Sequence, residues 1–237
     1  MDSIATLVSF GDQGWGDEIA RGTLVTVSLA LVTLPFGLLL GFFVALAKDS
    51  DEPSLRRAAE IYTTIFRGLP ELLTLFIVYF GVQIIIRQMA QLFVENASVE
   101  INSFVAGMVA LCLVFSSYAS EALLSAFKGI PRGQYEGGHA VGLSGFQTMW
   151  HVVLPQLIKL ALPGLSNLWL ILLKDTALVS VIGLADILRQ AGIAARVTKE
   201  AFLFFSVACL IYLVLAILSS FVLTWIERWS LRGEARR

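Results

Sequence analysis

Charged side chains interrupt several long apolar segments of the sequence, and their chemistry needs an explanation. The most isolated is Glu121, which lies four residues after Ser117 and would share a helical face with it. A carboxylate there could receive an ammonium group or a basic side chain from a ligand. It could equally form an internal ion pair with Lys159 or Lys174. A charge at the centre of a bilayer costs roughly 2.5–3.5 kcal/mol, so either role requires a partner.

A second group of candidate residues is the segment Arg67-Gly68-Leu69-Pro70-Glu71, which predicts an interruption where a helix enters the membrane. Pro70 can occupy the first helical position, which leaves free N–H groups and the positive end of the helix dipole inside the protein. Interrupted helices of this kind can bind substrate carboxylates, provided that a water-lined cavity surrounds them. An amino acid would then place its carboxylate here and its amino group near Glu121. The alternative is a simple kink at which Arg67 extends to the lipid headgroups.

Polar residues near the end of a later apolar run form the third group of candidates. Asn167 and Lys174 are seven residues apart and therefore share one face of a helix, whereas Asp175 lies about 100° around it. Lys174 and Asp175 cannot both point into one narrow pore, and the sequence leaves open which of them does. Thr176 completes the polar run, and Pro163-Gly164 ahead of it predicts a kink.

Metal and enzyme chemistry have little support in the sequence. Cys112 and Cys209 lie inside apolar runs and are interpreted as small hydrophobic residues rather than as a disulfide. His139 and His151 are twelve residues apart, without the spacing of a metal site. The chain contains no Gly-Lys dipeptide and hence no P-loop, and no nucleophile–base pair stands out. We expect no catalytic residue, no metal and no bound cofactor.

The elements that must position the candidate residues are apolar helices. Of the 237 residues, 57% are hydrophobic and 15% are charged, against about 25% charged in a typical soluble domain, and the mean hydropathy is +0.79. About 20 apolar residues cross the roughly 30 Å hydrocarbon layer. The sequence therefore predicts an all-α integral membrane protein, a single domain over 1–237, with about five spans at 23–47, 65–87, 104–126, 157–184 and 201–226.

The distribution of Lys and Arg predicts which side of the membrane each loop faces. If the N-terminus lies outside, the inner segments contain nine basic residues and the outer segments contain five. The inner set includes Arg232, Arg236 and Arg237 near the C-terminal end. Because basic residues favour the inner side, we expect the N-terminus outside and the C-terminus in the cytoplasm. The acidic N-terminal segment lacks the basic region of a secretory signal, so we expect it to be retained.

The longest inner loop, 134–155, carries a spaced motif. Its fixed points are a Glu, a Gly six residues later and a Leu-Pro pair after a further stretch; in this sequence they are Glu136, Gly142, Leu154 and Pro155. The pattern resembles the EAA loop of ATP-binding-cassette (ABC) importer permeases. Gly137 and Gly138 depart from the usual Ala pair, which lowers helix propensity by roughly 1 kcal/mol per residue. The resemblance implies that this loop forms a coupling helix in a groove of a cytoplasmic ATPase subunit.

The resemblance covers residues 20 to 230. The segments 66–72, 117–121 and 173–178 are similar to the polar amino-acid permeases, above all to the histidine, basic amino-acid and opine group. It implies a bacterial inner-membrane location and a type I importer-like fold. The partners implied are two ABC ATPase subunits that bind the ATP, a second permease subunit that is related or identical, an extracytoplasmic solute-binding protein and membrane lipid, with no nucleic acid.

The predicted function is that of a membrane-spanning subunit of an ATP-driven importer for a polar or basic amino acid or an opine-like solute. The subunit would form the translocation pathway by alternating access. Two alternatives are a stand-alone ion-coupled carrier, which would predict an inverted repeat that the sequence does not show, and a non-transporting membrane scaffold. A scaffold would leave the charges in the apolar segments unexplained.

Overall fold

The computed structural model describes residues 4–11, 14–91 and 102–231, and within these ranges the chain is helical and forms no strand. A short α1 (Ile4–Val8) precedes the long α2 (Gly16–Asp49), the amphipathic α3 (Pro53–Gly68) and α4 (Glu71–Gln91). After the gap come α5 (Ser103–Gly129), α6 (Arg132–Ala140) and α7 (Gly145–Thr148). A π-helical turn (Met149–Val153) leads into α8 (Leu154–Asp175), a 3₁₀ segment (Thr176–Ile182), α9 (Ile187–Thr198) and α10 (Ala201–Leu231).

Five of the described helical segments are long and apolar enough to cross a membrane. They are Gly16–Asp49, Glu71–Met89, Ser103–Gly129, Gly145–Ile182 and Ala201–Ser230. The all-α membrane architecture with five spans is therefore confirmed. Arg232, Arg236 and Arg237, which entered the charge argument, lie outside the described residues.

Three of the expected spans begin at a different residue, and the first begins at Gly16 rather than at residue 23. The second begins at Glu71 rather than at residue 65, because Leu69 adopts an extended conformation (φ −92°, ψ 143°) that ends α3. The Pro70 ring disfavours helical geometry in the residue before it. Pro70 itself precedes α4, and its carbonyl accepts the first helical hydrogen bond, from the Thr74 N–H at 3.0 Å. The fourth span starts at Gly145 instead of residue 157, because the π-helical turn joins α7 to α8 without a break.

Small residues bring α2 and α5 into close contact. A Cβ atom at Gly37 would lie 2.5 Å from the Phe115 ring, and one at Gly41 would lie 3.0 Å from both Ala119 Cβ and the Ser116 carbonyl oxygen. The two contacts advance together along both helices, so α2 and α5 run parallel. Helices in lipid gain little from hydrophobic burial against each other, and close approach of this kind is their main source of packing energy.

The end of the bundle at which α2 and α10 begin is organised by α9, whose apolar face packs on these two helices. Ile187, Ala191 and Ala194 are buried against Phe204 of α10 and Ile19 of α2. Asp186 begins this helix, and its Oδ1 accepts a hydrogen bond from the Arg189 N–H at 2.9 Å. Its Oδ2 is buried with no hydrogen-bond partner among the described residues. Burial raises the pKa of Asp186 to about 6, although the backbone N–H groups and Arg189 act in the opposite direction.

We expect Asp186→Asn to stabilise the protein above pH 6. The folded pKa of about 6 exceeds the value of about 3.9 for a free Asp, so the folded state holds the proton more tightly. Stability from this group is therefore present below pH 4 and is lost as pH rises to about 6. Asn keeps the capping acceptor but cannot ionise. The thermal midpoint of the variant should exceed that of the wild type by a few degrees at pH 7.5, and the advantage should be much smaller at pH 4.5.

The exposed Asp51 provides the control, because Asp51→Asn removes a solvated charge and should leave the midpoint unchanged at both pH values. An advantage of Asp186→Asn that is the same at pH 4.5 and pH 7.5 would contradict the role of the buried charge.

Candidate functional site

Glu121 is the centre of an ion cluster that joins three helices. Its Oε1 contacts the Lys48 ammonium from the end of α2 and lies 3.0 Å from Nη1 of Arg67 in the last turn of α3. The side chains are 33% exposed for Glu121, 45% for Arg67 and 9% for Lys48. The alternative partners expected from the sequence, Lys159 and Lys174, are wrong for the described structure. The observed partners come from α2 and α3 instead.

The Arg67 guanidinium also contacts an aromatic ring. Its Cζ lies 5.5 Å from the centroid of the half-buried Tyr118, within the range of a cation–π interaction. Neither Tyr118 nor Lys48 was identified from the sequence as a site residue. Lys48 follows an uncharged run and was counted only as an inner basic residue. Tyr118 lies three residues before Glu121, and this i, i+3 spacing was the available signal.

Ser117 does not extend the Glu121 cluster. It is fully buried, and its hydroxyl donates to the Val114 carbonyl at 2.7 Å. The Thr176 hydroxyl is likewise buried and donates to the Leu173 carbonyl at 2.7 Å. Both hydroxyls are therefore satisfied by the backbone of their own segments, which is common for Ser and Thr in apolar helices.

Two acidic residues lie within electrostatic range of each other, one at the end of α8 and one at the start of α4. Asp175, the last residue of α8, lies close enough to Glu71, the first residue of α4, for the two charges to interact. Asp175 and Tyr118 also line a cavity of only about 10 Å³ between α5 and α8. Lys174 and Asn167 are exposed on α8. The structure thus places Asp175 against the neighbouring helices, with Lys174 on the outer surface of the chain.

The helix interruption expected at Arg67–Glu71 is present, but the helix that follows it begins with an acidic residue, Glu71. Gly68 is exposed, and a Cβ atom there would meet nothing within 4 Å. Leu69 and Pro70 separate α3 from α4. The first turn of α4 carries the Glu71 carboxylate, which itself interacts favourably with the helix N-terminus. Arg67 on the other side of the break is engaged by Glu121.

The loop 134–155 contains two short helices and a tight turn. Gly142 has φ +86° and ends α6 in a Schellman motif. Its N–H donates to the His139 carbonyl at 3.0 Å, and the Leu143 N–H donates to the Gly138 carbonyl at 3.0 Å. Glu136 is exposed on α6. These bonds explain the Gly at this position, because the chain reverses through a left-handed residue and Gly adopts that conformation without strain.

The second half of the loop differs from the sequence expectation. Pro155 does not start the span, since α7, the π-helical turn and α8 follow one another without a break. The Leu154 N–H donates to the Met149 carbonyl, five residues back. This wider turn accommodates Pro155, which has no N–H to offer. The start of α7 is closed by a reciprocal capping box between Ser144 and Gln147.

The two glycines that replace the usual Ala pair are not equivalent. A Cβ atom at Gly137 would meet nothing within 4 Å, whereas one at Gly138 would lie 2.6 Å from Thr148 Cγ2 and 2.7 Å from its Oγ1. Gly138 and Thr148 are both buried where α6 packs against α7. The absence of a side chain at Gly138 thus leaves the space that the Thr148 side chain occupies.

We therefore expect opposite effects from two identical substitutions. Gly137→Ala should raise the thermal midpoint, because Ala favours a helix by up to about 1 kcal/mol over Gly. Gly138→Ala should lower it, because overpacking costs typically about 1–3 kcal/mol. Thr148→Ala combined with Gly138→Ala should recover part of the stability, because only the Thr148 Cβ, at 3.1 Å, then remains close. A Gly138→Ala variant as stable as Gly137→Ala would contradict the packing assigned to Thr148.

The fold and the loop geometry define a membrane component of a solute transport system, and comparison with known proteins gives its family. Residues 15–232 match the family described as the binding-protein-dependent transport system inner membrane component, and the chain belongs to this family. The permease interpretation is thereby confirmed in place of the stand-alone carrier and the scaffold.

The similar proteins are transport permeases. The nopaline transport system permease NocQ of Agrobacterium fabrum is 40% identical, covering 96% of this chain and 97% of that protein. The octopine transport system permease OccQ of Rhizobium radiobacter is 36% identical, covering 97% of each. The arginine ABC transporter permease ArtQ of Escherichia coli K12 is 37% identical, covering 92% of this chain and 97% of that protein.

Two solved structures share the fold. A crystal structure of an amino acid ABC transporter with histidines superposes with a TM-score of 0.76 at 32% identity, covering 90% of this chain and 94% of that chain. The inward-facing MetNI methionine ABC transporter superposes with a TM-score of 0.74 at 18% identity, covering 90% and 96%. The second likeness concerns the fold alone.

Proposed function

We propose that this permease imports a basic amino acid or an opine-like solute, with energy from ATP hydrolysed by a separate chain. Its similarity to permeases named for nopaline, octopine and arginine, over nearly the whole chain, supports this proposal. The observation in the chain itself that carries it is the electrostatic proximity of Glu71 to Asp175, which lines a small cavity with Tyr118. Two neighbouring carboxylates repel each other, and a cation between them relieves that repulsion.

The pathway would run along α4, α5 and α8, beside the break between α3 and α4 and the end of α8. Its proposed lining comprises residues from three groups: the α3–α4 break, α5 and the end of α8. They are Arg67, Gly68, Leu69, Pro70, Glu71, Glu121 and Asp175. Asn167 and Lys174, which are exposed on another face of α8, would lie outside it. Ser117 and Thr176 would support this lining from behind, because their hydroxyls are buried and bonded to backbone carbonyls.

The loop 134–155 would transmit motion from the ATPase. Its exposed surface includes Glu136, Gly142 and Pro155, and the half-buried Leu154 joins it to α8. We place two ATPase subunits, a second permease and an extracytoplasmic binding protein around this chain. ATP would bind only to the ATPase subunits, because the sequence contains no P-loop.

The proposed orientation has the N-terminus outside the inner membrane and the C-terminus in the cytoplasm. The parallel packing of α2 and α5 places Lys48 and Lys128, near the two C-terminal ends, on one side of the membrane. The loop 134–155 follows α5 directly and would lie on that same side. Positive charge concentrated at this side supports its assignment to the cytoplasm.

The test is to purify the tagged chain from native membranes in mild detergent and to identify what co-purifies. We expect an ABC ATPase and a second permease. Reconstitution of that complex with its binding protein should give ATP-dependent uptake of a cationic amino acid or opine from a labelled panel. A folded chain recovered alone would contradict the assembly, and uptake restricted to neutral or anionic amino acids would contradict the substrate class.

A further inference from the structure

Within the proposed import of a basic solute, we infer that Glu121 and Tyr118 form a recognition site for a guanidinium group, which Arg67 occupies when substrate is absent. Arg67 presents a planar, five-donor cation to a carboxylate and an aromatic ring at the same time. These are the two contacts that guanidinium groups favour in proteins. In this structure the Arg67 guanidinium of the chain itself therefore occupies the inferred site.

Because of the charge of the cluster, a ligand cation can bind Glu121 only by replacing one of the cations already there. Lys48 and Arg67 both contact Oε1 of Glu121, so two cations already share one carboxylate. Among the described residues, none donates a hydrogen bond to Oε2. An incoming guanidinium can make its first contact with that oxygen, but a third cation at one carboxylate would be strongly repelled. Its binding therefore requires one resident cation to leave.

Burial decides which cation leaves. The Lys48 side chain is only 9% exposed, and removing it from its carboxylate would leave a buried charge without a partner. Arg67 is 45% exposed and lies in the last turn of α3, just before the helix ends at Leu69. It can turn into water at little cost, because exposed ion pairs contribute at most about 1 kcal/mol. Arg67 is therefore the exchangeable group.

An occupied site lowers the apparent affinity for its ligand, since only the fraction of molecules with the site free can bind. Removing the Arg67 side chain should consequently expose the site. In Arg67→Ala, the concentration of a guanidinium-bearing amino acid needed for half-maximal uptake should fall by up to about fivefold. If Arg67 instead bound the substrate carboxylate, the same substitution would raise that concentration.

A binding experiment tests the site without relying on transport. The probe is ethylguanidine, added at millimolar concentration to the purified transporter, and the readout is the thermal midpoint of this subunit. Ethylurea, which is similar in shape but neutral, controls for general solvent effects. We expect ethylguanidine to raise the midpoint of Arg67→Ala by about 2 °C and that of the wild type by less than half as much. Adding Glu121→Gln to the Arg67→Ala variant should abolish the rise.

Arg57→Ala serves as the matched control, because Arg57 is an exposed arginine of the same helix and none of the ion pairs in the described structure involves it. It should behave as the wild type. The inference is overturned if Arg67→Ala shows no rise, or if the rise persists after Glu121→Gln. A positive result in a transporter that takes up no cationic solute would preserve the site and refute the proposed function, so the two failures are distinguishable.

Discussion

Gly142→Arg should reduce ATP-driven uptake by at least tenfold, while the amount of folded protein in the membrane stays near that of the wild type. A side chain at Gly142 would meet nothing within 4 Å inside this chain, so the substitution creates no internal overlap. The new side chain would project from the turn beside Val141, which is 77% exposed. In the proposed assembly this is the surface that contacts the ATPase. The measurement is uptake into proteoliposomes, together with ATPase activity of the reconstituted complex.

Backbone strain must be separated from the loss of docking. At φ +86° any residue with a Cβ is strained, by roughly 1–2 kcal/mol for most L-residues. Gly142→Ala carries that strain without bulk, and Gly142→Asn carries less strain because Asn tolerates the left-handed region. Both should retain most of the uptake. Normal uptake in Gly142→Arg would refute the coupling role of this loop, and equal losses in Gly142→Ala and Gly142→Arg would assign the effect to strain.

Asp175→Asn should reduce the specificity constant for a cationic substrate by at least about tenfold. The substitution preserves the size of the side chain and removes the negative charge that, with Glu71, would attract the cation. Hydrogen bonds to charged groups contribute about 1.5–3 kcal/mol, which corresponds to a factor of ten or more. Uptake should be measured at several substrate concentrations, with the thermal midpoint as the measure of folding.

The control for Asp175→Asn is Asp51→Asn, in the exposed connection between α2 and α3, which should leave uptake unchanged. The thermal midpoint of Asp175→Asn should be equal to or higher than that of the wild type, because a half-buried charge beside another carboxylate is removed. Unchanged uptake of the cationic substrate would exclude Asp175 from the pathway. A lower midpoint with proportionately lower uptake would assign it a structural role.

The number and type of the spans could be predicted from the sequence because a run of about 20 apolar residues has few other stable environments. Their ends could not be predicted as well, since these depend on local backbone geometry. The extended Leu69 moved the start of the second span to Glu71, and the π-helical turn moved the start of the fourth to Gly145. Neither change alters the hydropathy on which the prediction depended.

The partners of Glu121 illustrate a different limit. The sequence indicated that this carboxylate needs a cation, but it contains many Lys and Arg residues at comparable separations. The choice of Lys48 and Arg67 follows from the parallel packing of α2 on α5 and from the course of α3, which no local pattern specifies. In the same way, the sequence indicated only a loss of helix propensity at Gly138. The packing of Thr148 against this residue depends on the tertiary structure.

The π-helical turn at Met149–Val153 fixes the azimuth of the loop helices around the axis of α8. Each residue of an α-helix advances the chain by about 100°, and a π-helical turn contains one residue more than an α-helical turn. If the same residues continued as a regular α-helix instead, the sequences of α7 and α8 would stay intact but one helix would be turned relative to the other by about 100°. In the proposed coupling to an ATPase, a displacement delivered through α7 would then reach the membrane in a different direction, so the π-helical turn would determine that direction.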